Sequence, residues 1–280
     1  MPDQIQMLLE IALQEDIGTG DITTEALWGG EAVEKTGVIL AKQDLIVAGM
    51  EIARRVFLTV DHHLQWQRYF EDGAAVKKGQ KVAEVAGRFD SILKGERVAL
   101  NFLQHLSGIA TLTSQFVEKV NRYPVQILDT RKTTPGMRAL EKHAVRAGGG
   151  KNHRLGLYDR FLIKDNHLKG ISIREAIKRA RSRNLNKVPI EIEIQSVNQL
   201  EEAITAGADV LLLDNFSPKE LKKAVNQVKG RAKLEASGGI TLENVVDFAK
   251  TGVDFLSIGA LTHSAPAADV SLEIAGPQFP

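Results

Sequence analysis

Apolar positions change rhythm part-way along the chain. Near the amino terminus Ile5, Leu8, Leu9 and Leu13 recur at helical spacing, and Ile17-Gly18-Thr19-Gly20 stops the run. An amphipathic helix is predicted there. Lys35–Ala41, Asp44–Gly49 and Val76–Val85 read as short strands. From Ser91 to Arg122 the period is helical again, with an interruption expected at the small pair Ser107-Gly108. Beyond residue 110 strand-like runs end at Asp129, Lys164, Glu193, Asp214, Ser237 and Gly259, with helical patterns between them. The last four of these ends are 21, 23 and 22 residues apart, the length of a strand, a helix and two short loops. The repeated unit predicts an α/β fold: an incomplete β/α barrel of about six parallel strands, short of the regular eight. Residues 111–265 would form this catalytic barrel. Residues 1–110 with the tail 266–280, where Asp269–Ile274 reads as one more strand, would form an N-terminal α+β sandwich domain.

Composition narrows the function classes. Thirty-six basic and 35 acidic residues leave a net charge of +1, which removes the blanket polycation of a nonspecific nucleic-acid binder. The chain has no cysteine, so disulfide scaffolds, thiolate nucleophiles and cysteine-bound metals are excluded. Met1–Gln6 is polar and lacks the basic lead of a signal peptide. Apolar runs such as Val210–Leu213 fall far below the ~18 residues of a membrane helix. A soluble cytoplasmic protein, with neither membrane nor nucleic-acid partner, is expected.

Charge is nevertheless concentrated. Between positions 129 and 169 there are ten Lys/Arg, four Asp/Glu and three of the seven histidines, His143, His153 and His167. The cations do not follow one helical face. Arg131 and Lys132 come after an apolar strand, His153 and Arg154 after Gly148-Gly149-Gly150, and Lys164 ends Phe161-Leu162-Ile163. Cations at successive strand ends point to one pocket for a polyanion, with Arg gripping an oxyanion bidentately and Lys acting as a point charge.

Two further features fit a phosphorylated ligand. In Glu191-Ile192-Glu193 both glutamates fall on one face of a strand, and Asp214 ends the next. Glu193 and Asp214 can hold Mg²⁺, directly or through water, or can pair with the nearby Lys and Arg; the two roles are compatible in an empty site. Ala236-Ser237-Gly238-Gly239-Ile240-Thr241 and Ser257-Ile258-Gly259-Ala260 offer unobstructed main-chain N–H groups suited to a phosphate monoester at late strands of a barrel. The other histidines carry less. His62-His63 reads as surface, and His105, between Leu103 and Leu106, as a satisfied core or interface side chain. The Gly-x-Gly in Asp16–Asp21 follows a helix, so a Rossmann reading fails.

Longer motifs carry a resemblance. Glu15–Thr23, Gly95–Gln104, Asp129-Thr130-Arg131-Lys132-Thr133-Thr134-Pro135-Gly136, Gly149–Arg154, Ile163–His167, Glu191–Glu193 and the two glycine loops together resemble the quinolinate phosphoribosyltransferase family nearly end to end. The resemblance implies transfer of phosphoribosyl from phosphoribosyl pyrophosphate to quinolinate with decarboxylation, with Mg²⁺, in NAD biosynthesis. It implies a quinolinate pocket of Arg97, Arg131, Lys132, His153, Arg154 and Lys164. Phosphoribosyl pyrophosphate contacts would fall on Thr130, Lys132, Glu193, Asp214, Ser237, Gly238, Gly239, Ser257 and Gly259, with Lys132, Glu193 and Asp214 catalytic. It also implies a homodimer or an assembly of dimers in which Arg97 enters the partner's site.

Glu71-Asp72-Gly73 through Val85 also resembles the hammerhead turns of lipoyl and biotinyl carrier domains, without a modifiable lysine tip. The competing readings are a paralogous phosphoribosyltransferase for another acid, such as nicotinate, and a non-catalytic phosphate-binding or carrier-like module.

Overall fold

Most expected strands form, but Val76–Val85 divides into Ala75–Val76 and Lys81–Arg88 at a turn, and the strand Gln65–Arg68 is not anticipated by the sequence. A computed structural model describes residues 4–29, 31 and 33–275. Its strands are β1 (Glu34–Ala41), β2 (Leu45–Ile46), β3 (Gln65–Arg68), β4 (Ala75–Val76), β5 (Lys81–Arg88), β6 (Gln126–Leu128), β7 (Phe161–Ile163), β8 (Ile190–Ile194), β9 (Val210–Asp214), β10 (Lys233–Ser237), β11 (Phe255–Ser257) and β12 (Val270–Ala275). Two compact units result. One contains the described parts of Met1–Leu112, Pro135–Gly149 and Ala265–Pro280, the other Thr113–Thr134 and Gly150–Ser264.

The first unit is α+β. Its four-stranded antiparallel sheet runs β12-β1-β5-β3, and β2 pairs with β4 in a short ribbon. The expected tail strand is β12, in register with β1 from Thr36↔Ala275 to Ala41↔Val270. The last five residues of the expected tail segment, 276–280, lie outside the described residues. The run Asp44–Gly49 yields only β2, because Gly49 turns at φ 99° to start the helix Met50–Val60. Asp72 caps that helix, its carboxylate accepting from the N–H groups of Gly49 (3.0 Å) and Met50 (3.1 Å). The helix buries Phe57 fully, 5.8 Å from the Trp66 ring.

Two expectations are corrected here. The helix Phe89–Val120 is unbroken at Ser107-Gly108. Ser107 is small because its hydroxyl bonds the Ala48 main chain, accepting from N–H at 3.0 Å. Gly108 is small because a Cβ there would lie 2.1 Å from the Pro266 carbonyl. Packing, not helix breaking, explains the pair. Second, Pro135–Gly149 belongs to this unit rather than to the barrel. Its helix Arg138–Ala147 is tied down by His105 Nε2 to Glu141 (2.9 Å) and His143 Nε2 to Asp72 (2.7 Å).

The second unit holds six parallel strands in the order β6-β11-β10-β9-β8-β7. This open, barrel-like sheet has no β6–β7 pairing among the described residues; Lys151 makes a single bridge to Leu128 instead. Both faces are filled, as a parallel sheet requires. Ile190, Ile192 and Ile194 are fully buried on one face of β8, and Glu191 and Glu193 are buried on the other. Register aligns the carboxyl ends: Glu193 with Leu212, Asp214 with Ser237, and Ser237 with Ser257. Among the described residues no helix is long and apolar enough to cross a membrane.

Candidate active site

A cavity of about 420 Å³ opens at these strand ends. Thr130, Arg131, Lys132, His153, Arg154, Lys164, Glu193, Asp214, Ser237, Gly238, Gly239, Ser257 and Gly259 all line it. Only four of the ten Lys/Arg between 129 and 169 do so, joined by His153. Arg97 is not part of this lining; it is exposed on the long helix of the first unit.

Buried Asp129 organises the cationic end. Its carboxylate accepts from the His153 N–H at 2.9 Å and from Asn152 Nδ2 at 2.5 Å, which fixes the loop carrying His153 and Arg154. Thr130 Oγ1 accepts from the Lys132 N–H at 3.0 Å, and Thr262 Oγ1 donates to the Lys132 carbonyl at 2.8 Å. Lys164 follows β7, its N–H bonded to His167 Nδ1 at 2.9 Å. Like charges are crowded together. Burial first, then the Arg131 guanidinium, hold Arg154 below the ordinary arginine value. Such crowding is unfavourable without an anion and favourable with one.

The acidic side faces the cations. Lys164 Nζ lies 3.8 Å from Glu193 Oε2, a loose pair that leaves the ammonium half exposed. Glu193 also accepts from Gln195 Nε2 at 2.8 Å, and Asp214 accepts from Asn215 Nδ2 at 2.9 Å. Burial is the largest influence on Glu193 and raises its pKa; Lys164 opposes this, while Asp214 and Asp165 add to it. Two carboxylates that repel each other beside a solvent-open cavity fit a hard divalent cation with oxygen ligands.

The glycine loops are sterically committed. Gly238 has φ 98°, and a Cβ there would lie 2.1 Å from Asn215 Oδ1. A Cβ on Gly259 would press on Lys132 and His263 at 3.1 Å. The helices after these loops are short, Val245–Ala249 and Ala260–His263, so anion affinity rests on loop N–H groups more than on a helix dipole. Ser257 lines the cavity, but its hydroxyl donates to Glu235 Oε1 at 2.5 Å.

Sequence reading missed Leu162, Leu212, Glu235 and His263 in the wall. Three of them stand two residues before a strand-end residue: Leu162 before Lys164, Leu212 before Asp214, Glu235 before Ser237. A period of two, applied backwards from each strand end, finds them. Glu235 is 1% exposed, and burial, reinforced by the Glu191 charge, pushes its pKa up to about 7. His153 is in contact with both acids. Burial disfavours its charged form, but the bond to Glu191 and the charges of Glu235 and Glu191 raise its pKa.

Known proteins resemble this chain over nearly its whole length. The family models "Quinolinate phosphoribosyl transferase, N-terminal domain" and "C-terminal domain" match residues 21–107 and 109–273. The chain belongs to the quinolinate phosphoribosyltransferase family. It is 46% identical over 272 residues to a probable nicotinate-nucleotide pyrophosphorylase (carboxylating) of Bacillus subtilis strain 168, covering 97% of this chain and 93% of the relative. It is 39% identical to a mitochondrial quinolinate phosphoribosyltransferase (decarboxylating) of Nicotiana glauca, covering 96% and 82%. The nicotinate-nucleotide pyrophosphorylase structure from Francisella tularensis superposes with a TM-score of 0.92 at 39% identity, covering 98% of this chain and 96% of that one. Within the family, the boundary between the two matched domains falls at residues 107–109, inside one continuous helix.

Proposed function

We propose that this chain transfers phosphoribosyl from phosphoribosyl pyrophosphate to quinolinate, releasing pyrophosphate and carbon dioxide and leaving nicotinate mononucleotide. One observation carries the reading: four Lys/Arg side chains and His153, three acids and two glycine loops share one cavity of about 420 Å³. The substrates bring two carboxylates and three phosphate groups. At about −1.5 to −2 per phosphate ester, such a load needs several cations and a metal to gather it.

Arg131, Lys132, Arg154 and Lys164 bind the dicarboxylate, with His153 in the same wall and Arg97 supplied by a second copy of the chain in a homodimer. Leu162 and Leu212 offer apolar surface to the flat ring. Main-chain N–H groups of Ser237, Gly238, Gly239 and Gly259 hold the 5′-phosphate, beside Thr130 and Ser257. Glu193 and Asp214 face the ribose and would hold Mg²⁺, which when bound neutralises pyrophosphate charge. As the bond from ribose C1 to pyrophosphate breaks, positive charge grows on the sugar; Glu193 and Asp214 stabilise it, and Lys132 stabilises the leaving group. The pyridine nitrogen attacks with its own lone pair and needs no protein base. Once quaternised, the ring accepts the electron pair left when the 2-carboxylate departs as carbon dioxide.

Pyrophosphate release with Mg²⁺, phosphoribosyl pyrophosphate and either quinolinate or nicotinate tests this reading. Turnover with quinolinate alone is expected. Turnover with nicotinate and none with quinolinate would transfer the protein to the paralogous activity, and binding of phosphoribosyl pyrophosphate without turnover would make it a phosphate-binding module.

A further inference from the structure

His153 is held at its main-chain N–H and at both ring nitrogens. Its N–H donates to Asp129, and its Nδ1 accepts from the Arg154 N–H at 2.8 Å. Its Nε2 is hydrogen-bonded to Glu191 Oε1 at 3.3 Å and lies 3.0 Å from Glu191 Oε2, while Glu235 Oε1, at 3.5 Å, is a charge contact without a hydrogen bond. Because Nδ1 accepts, the ring proton sits on Nε2 and points at the two carboxylates. Neither nitrogen is left over for a substrate atom.

One carboxylate is enough to orient an imidazole. A second, fully buried beside the first, is costly unless it has work of its own. Glu191 is 0% and Glu235 1% exposed. Glu235 is itself anchored by Ser257 Oγ, and Arg160 stands 3.6 Å from Glu191. The other oxygen of Glu235, Oε2, has no hydrogen-bond partner among the described residues. The three groups bring their ligand atoms within 4.8 Å of one another. A metal ion there would have to displace the Nε2 proton and sit beside the Arg160 guanidinium, so the cluster reads as an internal brace instead.

We propose that Glu235, together with Glu191, is a positioning residue for the dicarboxylate end of the cavity. The pair locks the His153 ring, through Nε2, in the one orientation that presents its face to the acceptor. His153 then shapes the wall beside Arg154 without itself donating a hydrogen bond to the substrate. This rests on the quinolinate reading above for the identity of the acceptor, but not for the geometry.

The test uses the full chain carrying Glu235→Ala or Glu235→Gln. Nitrogen-15 spectra of the histidine rings report the His153 tautomer, assigned by the signals lost in His153→Asn. Binding of quinolinate and of phosphoribosyl pyrophosphate is measured on the same samples. In Glu235→Ala the His153 ring signals should move, and the quinolinate Kd should rise about tenfold, because the charge contact at 3.5 Å that holds the ring against Glu191 is lost beside a buried group. The Kd for phosphoribosyl pyrophosphate should stay within about twofold, and Glu235→Gln, which keeps an acceptor oxygen, should restore most of the quinolinate affinity. Unchanged ring signals in Glu235→Ala would overturn the proposal. So would shifted ring signals with both affinities lost in parallel. If Glu235→Ala fails to fold, Ser257→Ala, which frees Glu235 from its anchor, must shift the same signals in the same direction or the proposal fails. If the wild-type protein binds no quinolinate, the functional reading falls, while the ring spectra still decide whether Glu235 positions His153.

Discussion

The strand-end residues of the parallel sheet and those two places earlier on the same faces form two unlike layers. At the ends Lys164, Glu193, Asp214 and Ser237 are polar without exception, and each reaches the cavity. One step deeper, from β7 to β10, Leu162, Glu191, Leu212 and Glu235 alternate apolar with acidic. Glu191, Leu212 and Glu235 are 0%, 7% and 1% exposed. The outer layer keeps loosely paired charges, such as Lys164 and Glu193 at 3.8 Å, available to a ligand. The inner layer directs its charges inward, Glu191 and Glu235 onto His153 and Ser257, away from the ligand. Binding power sits in the layer whose charges face the cavity, and rigidity in the buried one beneath.

Substitutions should separate the two layers. Glu193→Ala, in the outer layer, should lower kcat/KM by about 10²- to 10³-fold through lost transition-state stabilisation. Its thermal midpoint should hold or rise, because Glu193 carries a burial cost and repulsion from Asp214; a large drop in midpoint would place Glu193 among the bracing residues. Leu212→Ala, in the inner layer, should cost about 2–4 kcal/mol in urea unfolding, as for other buried leucines. The same variant should keep kcat/KM within about tenfold of wild type, since only apolar contact with the ring is lost and no hydrogen bond.

Glu235 sharpens the contrast through pH. Its pKa is near 7 in the folded protein against an ordinary 4.5. Below the ordinary value the group is protonated in both states and contributes nothing. As pH rises through the interval between the two, the unfolded chain ionises first, so folding stability falls and then levels off near pH 7. The wild type should therefore lose on the order of 3 kcal/mol between pH 4.5 and 7.5 that Glu235→Gln does not lose. Parallel pH profiles for the two proteins would mean that Glu235 is ionised throughout. The smallest effect belongs to Ser257→Ala, about 1 kcal/mol for one hydroxyl bond, read by denaturant midpoint at pH 7.

The outer layer was legible in the sequence because each apolar run of the repeat stops at a polar residue. Asp214 after Val210–Leu213 and Lys164 after Phe161–Ile163 need no structure to be found. The inner layer was harder to see. In Lys233-Leu234-Glu235-Ala236 the glutamate looks like any surface residue of a mixed segment. Only the register that sets Glu235 beside Leu212, and the loop held by Asp129 that brings His153 onto it, reveal its burial. Ser107-Gly108 misled for a related reason: small residues break a helix in isolation, yet serve close packing when another segment, here Pro266, crosses them. The basic stretch 129–169 likewise reads as continuous, although the fold sends Arg138, Lys142 and Arg146 to a helix of the first unit.

Diffraction from crystals soaked with quinolinate tests the central claim most directly. Its two carboxylates should lie among Arg131, Arg154 and Lys164, with the ring against Leu162 and the face of His153, and with no hydrogen bond to either His153 nitrogen. Quinolinate bound elsewhere, or bound here with its carboxylates turned toward Glu193 and Asp214, would contradict it.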